Sequence, residues 1–222
     1  MDHAFFDAVN LALQGAAQPE RRAAMRAYMR EQFVFIGIPT PQRRLALRPL
    51  LKPLQGSGPK LLLACASSLW DRPEREYQYA ALDLLMLHWR ELGTDHIPAL
   101  LALAQRKPWW DTVDGLAAIV GDVLHESHSG MDAALRHPSF WVRRIAMLHQ
   151  LGRRGRTDVE RLFSYALALS PEKEFFIQKA IGWALRDYAH HAPDATRAFL
   201  DAERVHLPAL SYREAYKHLK KG

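Results

Sequence analysis

Apolar residues recur along this chain at spacings of three and four, and runs of alternating β-branched residues are scarce. That period puts the apolar positions on one face of a helix and predicts one helix after another. Pro, Gly, Ser, Thr and Asp fall between the periodic segments, where starts and stops belong. Pro41-Gln42-Arg43-Arg44 opens one helix, with Thr40 as its N-cap, and Gly56-Ser57-Gly58-Pro59 separates the next pair. Asp71-Arg72-Pro73-Glu74 opens a helix carrying Tyr77, Leu84, Leu85 and Trp89, and Gly93-Thr94-Asp95 ends it and starts another. Later helices begin near Asp111, Pro138, Thr157, Pro171 and Ser211. Short links make neighbouring helices antiparallel. Helical pairs recur about every 35 to 45 residues, the range of HEAT-like repeats. The expected fold is all-α: one domain, residues 1–222, built as a curved superhelical stack of HEAT-like antiparallel pairs with a concave face. No strict sequence period is visible, so a globular helical bundle stands as the alternative.

Composition narrows the class. Hydrophobic residues make up 49% of 222, enough for a substantial core, which excludes global disorder. Lys and Arg number 30 against 24 Asp and Glu, a formal charge of +6 that favours polyanionic partners. The single cysteine, Cys65, lies in the apolar run 61–66 and reads as a buried, inert thiol. No intrachain disulfide is possible, so a reducing compartment is expected. The first residues, Met1 to Phe6, carry no basic leader and no long apolar stretch, so neither secretion nor a membrane span is expected. Among the eleven histidines, His125 and His128 are three apart and His190-His191 adjacent, with no acidic partner set. No metal and no cofactor are expected. The basic loop Gly152-Arg153-Arg154-Gly155-Arg156 reads either as a solvated turn or as a phosphate contact. Lys217, Lys220 and Lys221 read as solvated.

Three segments join tryptophan to a charge on one helix face. Trp110 and Asp114 are four apart; Trp141 and Arg144, like Trp183 and Arg186, are three apart. Indole beside carboxylate suits a flat cation, which the ring quadrupole attracts. Arginine beside indole suits a phosphate near that ring. One ligand combines the two: a nucleotide whose base carries a positive charge from alkylation on a ring nitrogen. Such a base departs neutral and needs no general acid. A carboxylate has only to stabilise the positive sugar left behind or to orient a water. Each residue also has a plainer reading. Asp111 and Asp114 fit a helix start, Trp141 and Trp183 fit a core, and helix arginines are usually solvated.

These segments carry a family resemblance. The stretches Phe33-Val34-Phe35-Ile36-Gly37-Ile38-Pro39-Thr40-Pro41-Gln42-Arg43-Arg44, Trp109-Trp110-Asp111-Thr112-Val113-Asp114, Trp141-Val142-Arg143-Arg144, the block from Phe175 to Arg186 and the tail Leu210-Ser211-Tyr212-Arg213-Glu214-Ala215 span almost the whole chain. In this order the chain resembles the AlkD-like DNA glycosylases, the HEAT-like-repeat DNA alkylation repair enzymes. The resemblance implies that Asp114 is catalytic and that Trp110 and Trp183 contact the lesion nucleotide and its deoxyribose. It puts Arg144 and Arg186 at the DNA backbone, with Arg143 and Lys179 in the same segments as further DNA-binding residues. Tyr28, within Met25-Arg26-Ala27-Tyr28-Met29, becomes a further aromatic of a DNA-binding cleft. The implied activity is excision of cationic N3- and N7-alkylated purines, such as 3-methyladenine and 7-methylguanine, in base excision repair. The implied partner is duplex DNA containing alkylated bases, met by a cytoplasmic, nucleoid-associated monomer without metal or cofactor. An open wall of tryptophans would contact backbone and sugar rather than enclose a flipped base, and so tolerate bulky adducts. The rival from another class is a non-catalytic HEAT-like module binding DNA structures or a protein. Asp114 discriminates the two.

Overall fold

The structure, a computed structural model, describes residues 3–217 and residue 219. Among the described residues there are thirteen α-helices and no strand. They fall into two units, one ending at Ala99 and the other beginning at Leu100.

The N-terminal unit holds α1 (His3–Gly15), α2 (Arg22–Tyr28), α3 (Thr40–Leu51), α4 (Pro59–Asp71) and α5 (Arg75–Leu87); α6 (Ile97–Leu103) crosses the boundary. Leu62, Leu69 and Trp70 of α4 and Ala81, Leu84 and Leu85 of α5 are buried at helical spacing. Each large side chain among them contributes roughly 1.5–3 kcal/mol of burial. The stretch Phe33–Pro39 is extended rather than helical, and its backbone is anchored by one buried carboxylate. Glu76 accepts from the N–H groups of Ile36, Gly37 and Ile38 at 3.0, 2.8 and 3.1 Å. A parallel bridge joins Val34 to Glu74 alongside. Gly37 has φ +95°, and a Cβ there would lie 2.4 Å from the Gln18 carbonyl oxygen, so both the conformation and the space require glycine. The stretch Phe33–Pro39 therefore encodes a docking strap for α5.

Helix starts differ from the sequence reading by a few residues. Thr40 is the first residue of α3 and Pro39 precedes it as N-cap. Asp71 closes α4, and α5 starts after Glu74. Trp89 lies beyond α5 in a tight turn, Trp89–Glu91.

The C-terminal unit holds α7 (Trp110–Leu124), α8 (Met131–Ala134), α9 (Phe140–Leu148), α10 (Val159–Leu169), α11 (Phe175–Ala189), α12 (Pro193–Ala202) and α13 (Ala209–Tyr216). α7 packs on α9, α9 on α11, and α11 on α13. Two glycines set these approaches. A Cβ on Gly121 of α7 would fall 2.2 Å from the His149 carbonyl oxygen at the end of α9. A Cβ on Gly182 of α11 would fall 2.5 Å from the Glu214 Cβ and 2.8 Å from the Ser211 carbonyl oxygen on α13. Neither α8 nor α12 is anticipated by the pattern. α8 has only four residues, and α12 buries only Thr196 and Leu200, too thin a stripe to show a period.

Candidate active site

α11 carries two functions on two faces. Ile177, Ala180, Ile181, Ala184 and Leu185 are buried in the unit's core. Phe176, Lys179, Trp183 and Arg186, at spacings of three and four, form a stripe along the other side. α7 places Trp110 and Asp114 one turn apart on a common face. Together with Arg144, Phe175 and Glu214 these residues line one cavity of about 330 Å³, all within the C-terminal unit.

At one end of the cavity Arg144 of α9 grips Asp114 with both prongs. Its Nε donates to Oδ1 at 2.7 Å and its Nη2 to Oδ2 at 2.9 Å, while Nη1 donates to the Phe176 carbonyl. Both partners are largely out of water, with side-chain exposures of 5% for Arg144 and 16% for Asp114. An aromatic cluster packs beside this pair: the Phe176 ring lies 5.2 Å from Trp109 and 4.9 Å from Trp141. Trp141 is thus a core residue, while Trp110 and Trp183 face the cavity. Burial pushes the Asp114 carboxyl above its ordinary value; the Arg144 hydrogen bonds and charge pull against that, and Asp111 adds to it.

At the cavity's α13 side stands Glu214. Its Oε1 receives Lys217 at 2.6 Å and Lys179 at 3.0 Å, and its Oε2 receives Arg186 at 3.1 Å. The hydrogen bond from Lys217, followed by that from Lys179, holds the Glu214 carboxyl down at about 2 against the effect of burial. Glu214 carries no sequence signal of its own; it lies inside the recognised tail 210–215, and only the approach allowed by Gly182 brings it to the site.

The expected residues divide into three groups. Trp110, Asp114, Arg144, Lys179, Trp183 and Arg186 are brought together at the cavity. The sequence reading makes Arg144 a backbone contact and Arg143 a further DNA-binding residue; in the structure both guanidinium groups also bond within the protein. Arg144 is committed to Asp114 and Phe176. Arg143 makes a two-pronged pair with Glu172 at 2.6 and 2.8 Å and also donates to the His137 and Pro138 carbonyls. Lys179 and Arg186 keep 37% and 30% of their side chains exposed, so they remain open to a ligand. Tyr28 ends α2 in the N-terminal unit, with 71% of its surface exposed.

The basic loop is split as well. Arg153 is buried and donates to the Gly121 carbonyl, whereas Arg154 and Arg156 are exposed. Lys220 and Lys221 lie outside the described residues. Among the described residues no cluster of three or more His, Cys, Asp or Glu is arranged to hold a metal. His128 instead pairs with His149, Nδ1 to Nε2, at 2.8 Å. No helix among the described residues is long and apolar enough to cross a membrane.

Comparison with known proteins places the chain in a family. The family model described as DNA alkylation repair enzyme matches residues 9–219. A solved structure described as a predicted DNA alkylation repair enzyme from Enterococcus faecalis is similar, with 32% identity and a TM-score of 0.84, covering 93% of this chain and 98% of that one. No curated protein matches. The chain belongs to the DNA alkylation repair enzyme family, and it shares that family's all-helical fold. Its place is in the repair of alkylated DNA, with DNA as its partner.

Proposed function

We propose that the chain is a monofunctional DNA glycosylase that hydrolyses the N-glycosidic bond of cationic N3- and N7-alkylated purines in duplex DNA. One observation carries this reading: the Asp114 carboxylate is fixed by the Arg144 fork in a cavity flanked by Trp110 and Trp183. When the C1′–N bond breaks, its electron pair goes to the base and cancels the base's positive charge. The deoxyribose is left with oxocarbenium character. A carboxylate held in a low-dielectric wall stabilises that charge and can align the water that adds to C1′, whose proton is then released to solvent. The two indoles offer their faces to the lesion nucleotide and its sugar. Lys179 and Arg186 supply positive charge for the flanking phosphate. Tyr28 on the N-terminal unit offers a further exposed aromatic surface.

This reading needs neither metal nor cofactor. It includes a monomer working in the cytoplasm on nucleoid DNA, consistent with a lone cysteine, Cys65, which is buried and has no partner for a disulfide. It also includes tolerance of bulky adducts, since contacts to sugar and backbone do not enclose the base. The test is base release from methylated duplex DNA by the purified protein. Appearance of free 3-methyladenine or 7-methylguanine is expected; release of neither contradicts the reading.

A further inference from the structure

Lys179 stands four residues before Trp183 on α11, and Arg186 three residues after it. Left to themselves, two long cationic side chains one turn either side of an indole would repel each other and spread into solvent. They do not spread here. Both heads converge on the single carboxylate of Glu214, at 3.0 and 3.1 Å, one on each oxygen. Glu214 can reach them only because Gly182 lies beside Trp183 and admits the Glu214 Cβ to a distance no side chain would allow. The Glu214 side chain is 11% exposed, so the anchor sits in the wall of the cavity while its two cations stay open. Lys217 adds a third cation at 2.6 Å. Three positive charges on one carboxylate leave a local excess of positive charge, which a further anion can neutralise.

We propose that Glu214 is a positioning residue: it holds Lys179 and Arg186 as one converged pair, so that both bind the same phosphodiester of the strand whose nucleotide rests against Trp183. This rests on the DNA glycosylase reading for the nucleotide at Trp183, but not on base release itself. A buried carboxylate of this kind orients two flexible donors in advance, so less side-chain entropy is lost when the phosphate arrives.

The experiment measures affinity for a duplex carrying one non-hydrolysable abasic-site analogue, by fluorescence anisotropy across a range of KCl concentrations. Each phosphate neutralised contributes about 0.9 to the slope of log affinity against log salt. Lys179→Ala and Arg186→Ala together should lower the slope by about 0.9, one phosphate, and their separate fold-losses should not multiply. A loss of about 1.8 in the double variant, with multiplying fold-losses, means two independent phosphates and overturns the proposal. Glu214→Gln, near in shape but uncharged, should weaken binding and at least halve the fold-loss that Lys179→Ala or Arg186→Ala then adds. If it lowers only the melting temperature and leaves those fold-losses unchanged, Glu214 is merely structural and the proposal fails. Should the unmodified protein bind the analogue but release no methylated base, the glycosylase reading fails and this one stands. Absence of any DNA binding overturns both.

Discussion

Arg144 and Asp114, thirty residues apart on α9 and α7, form a two-pronged ion pair at 2.7 and 2.9 Å in the wall of the cavity. The pair fixes the carboxylate's position, and the third donor of Arg144 ties it to the backbone of α11. Three helices thus meet at one guanidinium. Arg144→Ala leaves a buried carboxylate without its partner, which typically destabilises by about 3–5 kcal/mol. Arg144→Lys keeps the charge but loses the fork. Base release by the lysine variant is expected to fall by roughly 100-fold, as misplacement by about 1 Å commonly does, with a smaller loss of stability than in the alanine variant. Single-turnover rates and thermal melts of the two variants check this.

The same pair sets a pH dependence. Burial raises the Asp114 carboxyl above 3.8, so its charged form is lost at a higher pH than an exposed aspartate's. If the carboxylate form is the active one, base release falls on acidification with a midpoint above pH 3.8. Removing the stabilising cation by Arg144→Ala moves that midpoint further up. A pH–rate profile on methylated DNA measures both; an acidic limb at or below the ordinary aspartate value would count against the assignment.

Gly182 tests the packing that builds the α13 side of the cavity. Gly182→Ala places a methyl 2.5 Å from the Glu214 Cβ and 2.8 Å from a backbone carbonyl, neither of which is a flexible end. α11 and α13 must separate, at a cost of about 1–3 kcal/mol. Chemical denaturation should show this loss despite alanine's better helix propensity. Unchanged stability would mean that the close approach does not exist.

His149 makes a second pH prediction, for stability. It is 2% exposed, and burial, helped by Arg153, His128 and Arg161, holds its pKa down at about 3. Its Nδ1 faces the Ala146 carbonyl at 2.7 Å, so Nδ1 carries the proton and Nε2 accepts from His128. The folded ring stays neutral where the unfolded ring, near 6.5, gains a proton. The unfolded state therefore binds more protons between these values. This ring's contribution to stability is full above pH 6.5 and falls with a downward slope as the pH drops toward 3. Urea titrations at several pH values should show that slope reduced in His149→Gln.

Much of this was legible in the chain itself. The three- and four-residue period gives a helical fold, and the spacings of Trp110–Asp114 and Trp183–Arg186 survive as shared faces at the cavity. What spacing along one helix does not reveal is which charge on a neighbouring helix answers it. That Arg144 and Arg143 each also pair with a carboxylate, Asp114 and Glu172, is not readable from the chain because those partners are about thirty residues away in sequence. Glu214 was invisible for the same reason. Its role depends on a glycine notch in α11, and a lone glycine inside a helical pattern carries no direction. The extended strap at Phe33–Pro39 was hidden because its backbone partner is a side chain, Glu76, forty residues on.

The role of Asp114 in base release is tested by Asp114→Asn, measured for binding and base release on the same 7-methylguanine duplex. The amide keeps the shape and one acceptor oxygen for Arg144 but removes the charge. Binding within a few-fold of the unmodified protein is expected, with base release reduced by about 100-fold or more, the loss typical when a charge-stabilising group is removed from a largely buried position. Release at an undiminished rate would contradict that role.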